Sequence, residues 1–280
     1  MLPSNRLDLD GRTLAWLDQG RGPAIVFLHA FPLSAMMWRG QIEHPPEGWR
    51  TVAPDLRGFR HSWREGGSPA CHVRDHADDV LALIDHLSVA PVVVVGLSMG
   101  GYVAFECWRR RPDAVAGLVL VDTRAEPDTD EARAKRRQMQ NLVRTGGPSA
   151  VADAMLPTLL GASTQTTDPH RVVEVKRLIE ENRAGAIDDA LETLASRPDS
   201  RPTLGTISCP TLVIVGEEDV LTPPPMAQTM AAGIAGATLV TIQRAGHLSS
   251  IEQSAAFDTA LHGWLRATFP DGPVPSRQVQ

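Results

Sequence analysis

Eight short strand-like segments interleaved with helical patterns predict a doubly wound α/β sheet, mostly parallel, with helices on both faces. Two observations carry this expectation. Six β-branched-rich runs do not alternate: AIVFLHAF (24–31), TVAPDLRGF (51–59), PVVVVGLS (91–98), GLVLVDT (117–123), PTLVIVGEED (210–219) and ATLVTIQRAGH (237–247). Strands without alternation are buried on both faces, as in a parallel sheet. Apolar stripes at helical spacing fill the gaps between them, the pattern of strand–helix–strand units.

The elements follow in order. RLDLDG and TLAWLDQG alternate apolar with polar residues and read as an antiparallel hairpin at one edge of the sheet. Val80, Leu83, Ile84 and Leu87 form one helical stripe. GGYVAFECWRRRPD (100–113) reads as a helix whose closing arginines sit at the negative end of its dipole. From Arg124 to Arg201 the strand pattern stops and only helical patterns remain. Ser149 is a candidate cap for AVADAMLPTLLG. Asp168-Pro169 pairs a capping residue with Pro at the first helical position, and Ile187, Leu191 and Leu194 stripe the next segment. Phe257, Leu261, Trp264 and Leu265 stripe the last helix. The expected organisation is a core of residues 1–123 and 202–270, a helical cap inserted at 124–201, and a disordered Pro- and Gly-rich tail at 271–280.

Composition narrows the function classes. The chain has 280 residues, a net charge of −6 and a pI near 5.8. Its one basic cluster, RAKRRQ (Arg133–Gln138), lies among acidic residues and reads as a solvated helix face, so no nucleic-acid partner is expected. No apolar run is long enough to span a membrane, and no signal peptide is visible. Cys71, Cys107 and Cys209 are scattered and suit a reducing cytoplasm. His72 and His76 sit four apart beside Asp75, Asp78 and Asp79, but no third ligand has suitable spacing; neither a metal nor a cofactor is expected.

The segment VVVVGLSMGG (92–101) carries the chemistry. A strand that turns abruptly into a helix strains its turn residue and needs small neighbours, which Gly96 and Gly100 supply. Ser98 is then presented at the tip, above the sheet. A serine hydroxyl needs a base, and the base needs an orienting acid. Asp219 in GEEDVLTPP and His247 in AGHLSSIE follow strands whose carboxyl ends point to the same sheet edge, where ligand chemistry gathers in such folds. Asp122 is a weaker candidate acid, Glu217 and Glu218 read as solvent-facing, and His29 reads as a structural residue. Trp38 near the 29–38 loop, and Met155 and Leu159 in the insertion, are expected to line an apolar acyl pocket.

These motifs resemble the α/β-hydrolase superfamily over nearly the whole chain. The matching pieces are HAFP (29–32), DLRGFRHS (55–62), GLSMGG (96–101), GEEDVLTPP (216–224) and GHLSSIE (246–252). Within the superfamily the chain is similar to carboxylesterases, 3-oxoadipate enol-lactonases and cofactor-free haloperoxidases. The resemblance implies Ser98 as nucleophile, His247 as general base and Asp219 as its orienter. It also implies an oxyanion hole from the backbone N–H groups of Phe31 and Met99. The implied reaction is hydrolysis of small to medium esters or lactones through an acyl-enzyme. Perhydrolysis, C–C bond hydrolysis and non-turnover ligand reception use the same residues and stay open here. Three positions depart from the family pattern: Ala30 and Arg60 stand where Gly is usual, and IEQS replaces Glu-x-Pro after the histidine. Ala30 would be strained if its φ were positive; Arg60 is expected to matter little.

Overall fold

The computed structural model describes residues 4–9, 11–63 and 72–270; the tail 271–280 and Cys71 lie outside them. Eight strands form one sheet in the order β1-β2-β4-β3-β5-β6-β7-β8. They are β1 (Ser4–Leu9), β2 (Arg12–Gly20), β3 (Ala24–Leu28), β4 (Arg50–Pro54), β5 (Val92–Leu97), β6 (Val115–Val121), β7 (Thr211–Gly216) and β8 (Thr238–Ile242). β1 and β2 form the expected antiparallel hairpin, β2 also runs antiparallel to β4, and every pairing from β4 to β8 is parallel.

The parallel strands are buried on both sides because their residues alternate between two cores. Val26, Leu28, Val92, Val94, Leu118 and Leu120 face one, with Val80, Leu83 and Ile84 of α2 (Val73–Leu87) and Val103 and Phe105 of α3 (Met99–Arg110). Ile25, Phe27, Val93, Val95, Val119 and Val121 face the other, with Ile42 of α1 (Arg39–Glu43) and Phe257, Leu261 and Leu265 of α11 (Ser254–Thr268). Burying each such side chain stabilises the fold by about 1.5–3 kcal/mol. β8 departs from the expectation. It is the sheet's last strand, and four of its five residues are exposed or only partly buried, so TLVTI is an apolar edge rather than a two-faced core strand.

Only helices lie between β6 and β7: α4 (Asp130–Leu159), α5 (Ala162–Thr167), α6 (Pro169–Glu180), α7 (Ala184–Ala195) and α8 (Arg201–Leu204). Two shorter helices complete the chain, α9 (Pro224–Gly233) after β7 and α10 (Ser249–Glu252) after β8. The Thr129 side chain caps α4 by accepting the Ala132 N–H, and Asp168 caps α6 by accepting the Arg171 N–H ahead of Pro169. Ser149 does not cap. α4 breaks at Gly147, whose φ of 71° favours glycine, and resumes at Pro148; the Ser149 hydroxyl instead donates to Glu180 at 2.7 Å.

The β5–α3 turn is one of the tightest points of the fold. A Cβ on Gly96 would lie 2.3 Å from the Gly100 carbonyl oxygen, and one on Gly100 would lie 2.2 Å from that of Leu28. Neither contact is tolerable, and both obstacles are backbone. Gly100→Ala is therefore expected to destabilise the protein by about 1–3 kcal/mol, the usual penalty for overpacking. Thermal unfolding should show a midpoint lowered by several degrees; an unchanged midpoint would contradict this packing.

Candidate active site

Ser98 joins β5 to α3 with φ 53° and ψ −111°, a conformation costly for a residue with a side chain. Its neighbours fix it there. The Ser98 N–H donates to the Val121 carbonyl at 2.9 Å, and the Thr123 hydroxyl donates to the Ser98 carbonyl at 2.8 Å. Met99 opens α3, so its N–H is among those at a helix start that lack an intrahelical acceptor.

His247 and Asp219 arrive from the loops after β8 and β7. The Ser98 hydroxyl lies 2.8 Å from His247 Nε2, and His247 Nδ1 lies 2.9 Å from Asp219 Oδ2. Asp219 accepts two further backbone donors, the N–H groups of Leu221 (2.8 Å) and Thr222 (3.0 Å), and the Thr222 hydroxyl at 2.6 Å. Burial works against the Asp219 charge, but His247 and the Thr222 donors outweigh it and hold its carboxyl down to about 2. An ionised Asp219 can only accept, so Nδ1 carries the ring proton and Nε2 is left to accept from Ser98. Burial also works to lower His247, yet the Asp219 charge and hydrogen bond leave it above the ordinary histidine range.

Asp122, the alternative acid, is engaged elsewhere. It accepts the Gly216 N–H at 2.8 Å and both the N–H (3.0 Å) and the hydroxyl (2.6 Å) of Ser249, so it ties β6 to the end of β7 and to the loop carrying His247. Burial and the neighbouring Asp219 charge push its carboxyl up to about 8.

The second wall of the site is the 29–35 loop. His29 is fully buried and braces it: its Nε2 accepts the Leu56 N–H at 2.9 Å, leaving Nδ1 to donate to the Ala30 carbonyl at 3.0 Å. Asp55 accepts the N–H groups of Ala35 and His61. The DLRGFRHS stretch is thus a buttress for this loop. Ala30 is absent from the positive-φ residues, so the Gly-to-Ala departure carries no strain. Arg60 matters more than the sequence suggests. It has φ 43°, its N–H donates to Asn182 Oδ1 at 3.1 Å, and the Asn182 amide donates in turn to the Pro32 carbonyl at 2.9 Å. The end of α6 is thereby tied to both loops.

Ser98 and His247 open into a cavity of about 440 Å³. Phe31 lines it from the 29–35 loop, and Met155 and Leu159 line it from α4. Trp38 does not. It is fully buried between Phe27 and Phe257, with ring centroids 5.0 and 5.8 Å away, and belongs to the core. Nearness in sequence to the 29–35 loop did not fix the side on which its ring would pack. Leu191, Leu194, Val220 and Leu221 add to the apolar wall, and Arg124, Lys135 and Arg136 supply charge. RAKRRQ is therefore more than a solvated face: Lys135, though exposed, and Arg136 line the cavity, and Arg137, also exposed, does not.

Two acidic residues were misjudged or missed. Glu218 is not simply solvent-facing, since its carboxylate accepts the N–H (2.8 Å) and the hydroxyl of Ser163 in α5. Glu252 is buried and accepts four donors: the N–H groups of Gly246 (2.9 Å), Leu248 (3.1 Å) and Gly161 (2.8 Å), and the Thr164 hydroxyl (2.6 Å). It fastens the His247 loop to the inserted helices, and the His247 N–H adds a bond to the Leu159 carbonyl at 3.1 Å. The only sequence signal was a glutamate five residues after the histidine. Among the described residues, no group of three or more His, Cys, Asp or Glu is placed to hold a metal ion, and no helix is long and apolar enough to cross a membrane.

Removing the Glu252 carboxylate would leave several buried donors unpaired, each costing about 1–3 kcal/mol. Glu252→Ala is expected to lower the unfolding midpoint and to speed amide hydrogen exchange at Gly246 and Leu248, with Glu252→Gln intermediate. Unchanged exchange at those two amides in Glu252→Ala would show that the loop does not depend on this carboxylate.

Comparison with known proteins agrees with this architecture. A family model described as alpha/beta hydrolase fold matches residues 23–254. The chain is 27% identical to 3-oxoadipate enol-lactonase 2 of Acinetobacter baylyi, over 90% of this chain and 92% of the lactonase. It is also 27% identical to a haloalkane dehalogenase of Mesorhizobium japonicum, over 90% of this chain and 88% of that protein. A malate-bound thermophilic esterase from Thermogutta terrifontis superposes with a TM-score of 0.89 at 37% identity, covering 95% of this chain and 99% of the esterase. The strand order, the turn at Ser98 and the match over most of its length place this chain in the alpha/beta hydrolase fold family.

Proposed function

We propose that the protein is a serine hydrolase that cleaves small to medium carboxylic esters or lactones through an acyl-enzyme. The observation that carries this reading is the continuous array from Ser98 Oγ through His247 (2.8 Å) to Asp219 (2.9 Å), set on a strained turn at the floor of an apolar cavity.

The chemistry follows from that geometry. Ser98 Oγ attacks the carbonyl carbon while its proton passes to His247 Nε2. The ring then carries two protons and a positive charge, which buried Asp219 stabilises. The N–H groups of Met99 and Phe31 are the proposed donors to the carbonyl oxygen as it becomes an oxyanion; each such donor is worth about 3–4 kcal/mol in the transition state. Collapse expels the alkoxide, which takes the proton from Nε2, and leaves the acyl group on Ser98. A water deprotonated by the same Nε2 then attacks the acyl carbon, and a second collapse returns the proton to Ser98. In a lactone the expelled alkoxide stays attached to the acyl group, so a single hydroxy acid is released. The alkyl displacement implied by a dehalogenase name needs a carboxylate nucleophile at this turn, and Ser98 offers a hydroxyl. The esterase and lactonase relatives support the acyl-transfer reading.

The test is turnover of a short-chain 4-nitrophenyl ester. Ser98→Ala is expected to lose roughly 10⁴-fold or more in kcat, and Asp219→Asn roughly 10³–10⁴-fold through the wrong ring tautomer. A protonated His247 cannot act as base, so kcat/KM should fall on the acid side. Because the folded His247 is raised above 6.5, the midpoint of that limb should lie above pH 6.5. Wild-type turnover retained in Ser98→Ala would refute the assignment.

A further inference from the structure

The charged wall of the cavity says something about what enters it. Ala132, Lys135, Arg136 and Met139 lie at i, i+3, i+4 and i+7 on α4, a single helical stripe, and all four line the cavity that holds Ser98 and His247. Arg124 stands beside them, and the lining contains no aspartate or glutamate. The charges behind the wall do not balance it. Asp128, wholly buried, pairs with three guanidiniums: Arg124 at 2.8 Å, Arg136 at 3.2 Å and Arg197 at 2.5 Å. Burial disfavours the Asp128 carboxylate, yet Arg136 and Arg197 hold it below the ordinary range, so it contributes one full negative charge against three positive ones. Arg197 is spent inside the protein, bonded to the Leu194 and Glu126 carbonyls and stacked 4.4 Å from the Tyr102 ring. Arg124 and Arg136 remain partly exposed and line the cavity, Arg136 also bordering a second depression beside Arg133 and Arg137, and Arg124 Nε is buried with no acceptor among the described residues. Lys135 is exposed and enters no ion pair among the described residues; Glu131, one turn earlier on α4, does not reach it.

An apolar cavity with surplus positive charge on one wall and a serine–histidine pair on its floor fits a substrate charged at one end. We infer that the acyl or lactone part of the substrate carries a carboxylate, held by Lys135 together with Arg124 and Arg136 while the scissile carbonyl sits at Ser98. This rests on the hydrolase reading above and narrows it to half-esters of dicarboxylic acids and lactones with a pendant carboxylate. Lys135, which has no ion pair among the described residues, and two guanidiniums that share a single carboxylate with a third favour an anion both on approach and once bound. The apolar side chains between wall and floor fit the methylene chain that separates the two ends of such a molecule.

The experiment compares two esters of equal length that differ in charge, mono-4-nitrophenyl adipate and its methyl diester, methyl 4-nitrophenyl adipate. The wild type should prefer the anion in kcat/KM by about tenfold, and about 1 M NaCl, with a screening length near 3 Å, should erase most of that preference. Lys135→Gln should lower the anionic-to-neutral ratio roughly fivefold, the worth of one solvent-facing charge pair, and Lys135→Glu should lower it further. Arg137→Gln, on the exposed face of the same helix turn, should keep the wild-type ratio. In Ser98→Ala, calorimetry should show tighter binding of the monoester than of the diester. Equal kcat/KM for both esters in the wild type, unmoved by Lys135→Glu, would overturn the inference and leave the hydrolase reading intact. If the wild type turned over neither ester, the hydrolase reading would fail and this inference with it.

Discussion

The site depends on how closely three backbones approach one another at the carboxyl edge of the sheet. A Cβ on Gly216, at the end of β7, would lie 2.1 Å from the Gly246 carbonyl oxygen, and one on Gly246 would lie 2.3 Å from the Gly161 nitrogen. The acid-bearing turn, the histidine loop and the α4–α5 junction are therefore in direct backbone contact. Across the edge, Gly100 makes the same kind of contact with β3. With no side chains to hold them apart, the loops bring Ser98, His247 and Asp219 within single hydrogen bonds although 149 residues separate the serine from the histidine. Real Cβ atoms do not pack this tightly, so larger residues at these glycines would spread the loops and open that chain of bonds.

Buried carboxylates around the histidine divide the remaining work by the donors each one meets. Asp219 faces the imidazole and two turn amides, and stays ionised. Asp122 holds β6, β7 and the histidine loop together. Glu252 holds that loop to the inserted helices. Of these three acids only Asp219 shares a hydrogen bond with the ring, whereas Asp122, equally well placed in the sequence, is bonded to Gly216 and Ser249. The helices above the cavity are anchored at this corner by Glu252, Glu218 and the His247 N–H.

Much of this was legible in the sequence, for identifiable reasons. The parallel strands were readable because two-faced burial removes alternation, and the same rule misread β8, since an apolar edge strand looks alike until its place in the sheet is known. Ser98, His247 and Asp219 were readable because a strained turn and strand-end loops leave local composition behind. What needed the fold was the direction of side chains. Trp38 turns into the core, Glu218 turns to α5, and Ser149 reaches Glu180 instead of a helix end. Arg60 gained a role only when φ 43° and the Asn182 amide came together from distant segments. The split of RAKRRQ lay within reach: the i, i+3, i+4, i+7 spacing of Ala132, Lys135, Arg136 and Met139 is plain in the sequence, but the face it would meet was not.

The central claim is that one hydroxyl, activated by His247, forms a covalent bond to the substrate's acyl carbon. Peptide mapping by mass spectrometry after reaction with a fluorophosphonate tests it most directly. The account predicts a single adduct on the peptide carrying Ser98, formed quickly by the wild type and suppressed in His247→Ala. An adduct on another residue, or none on a folded protein, would contradict it.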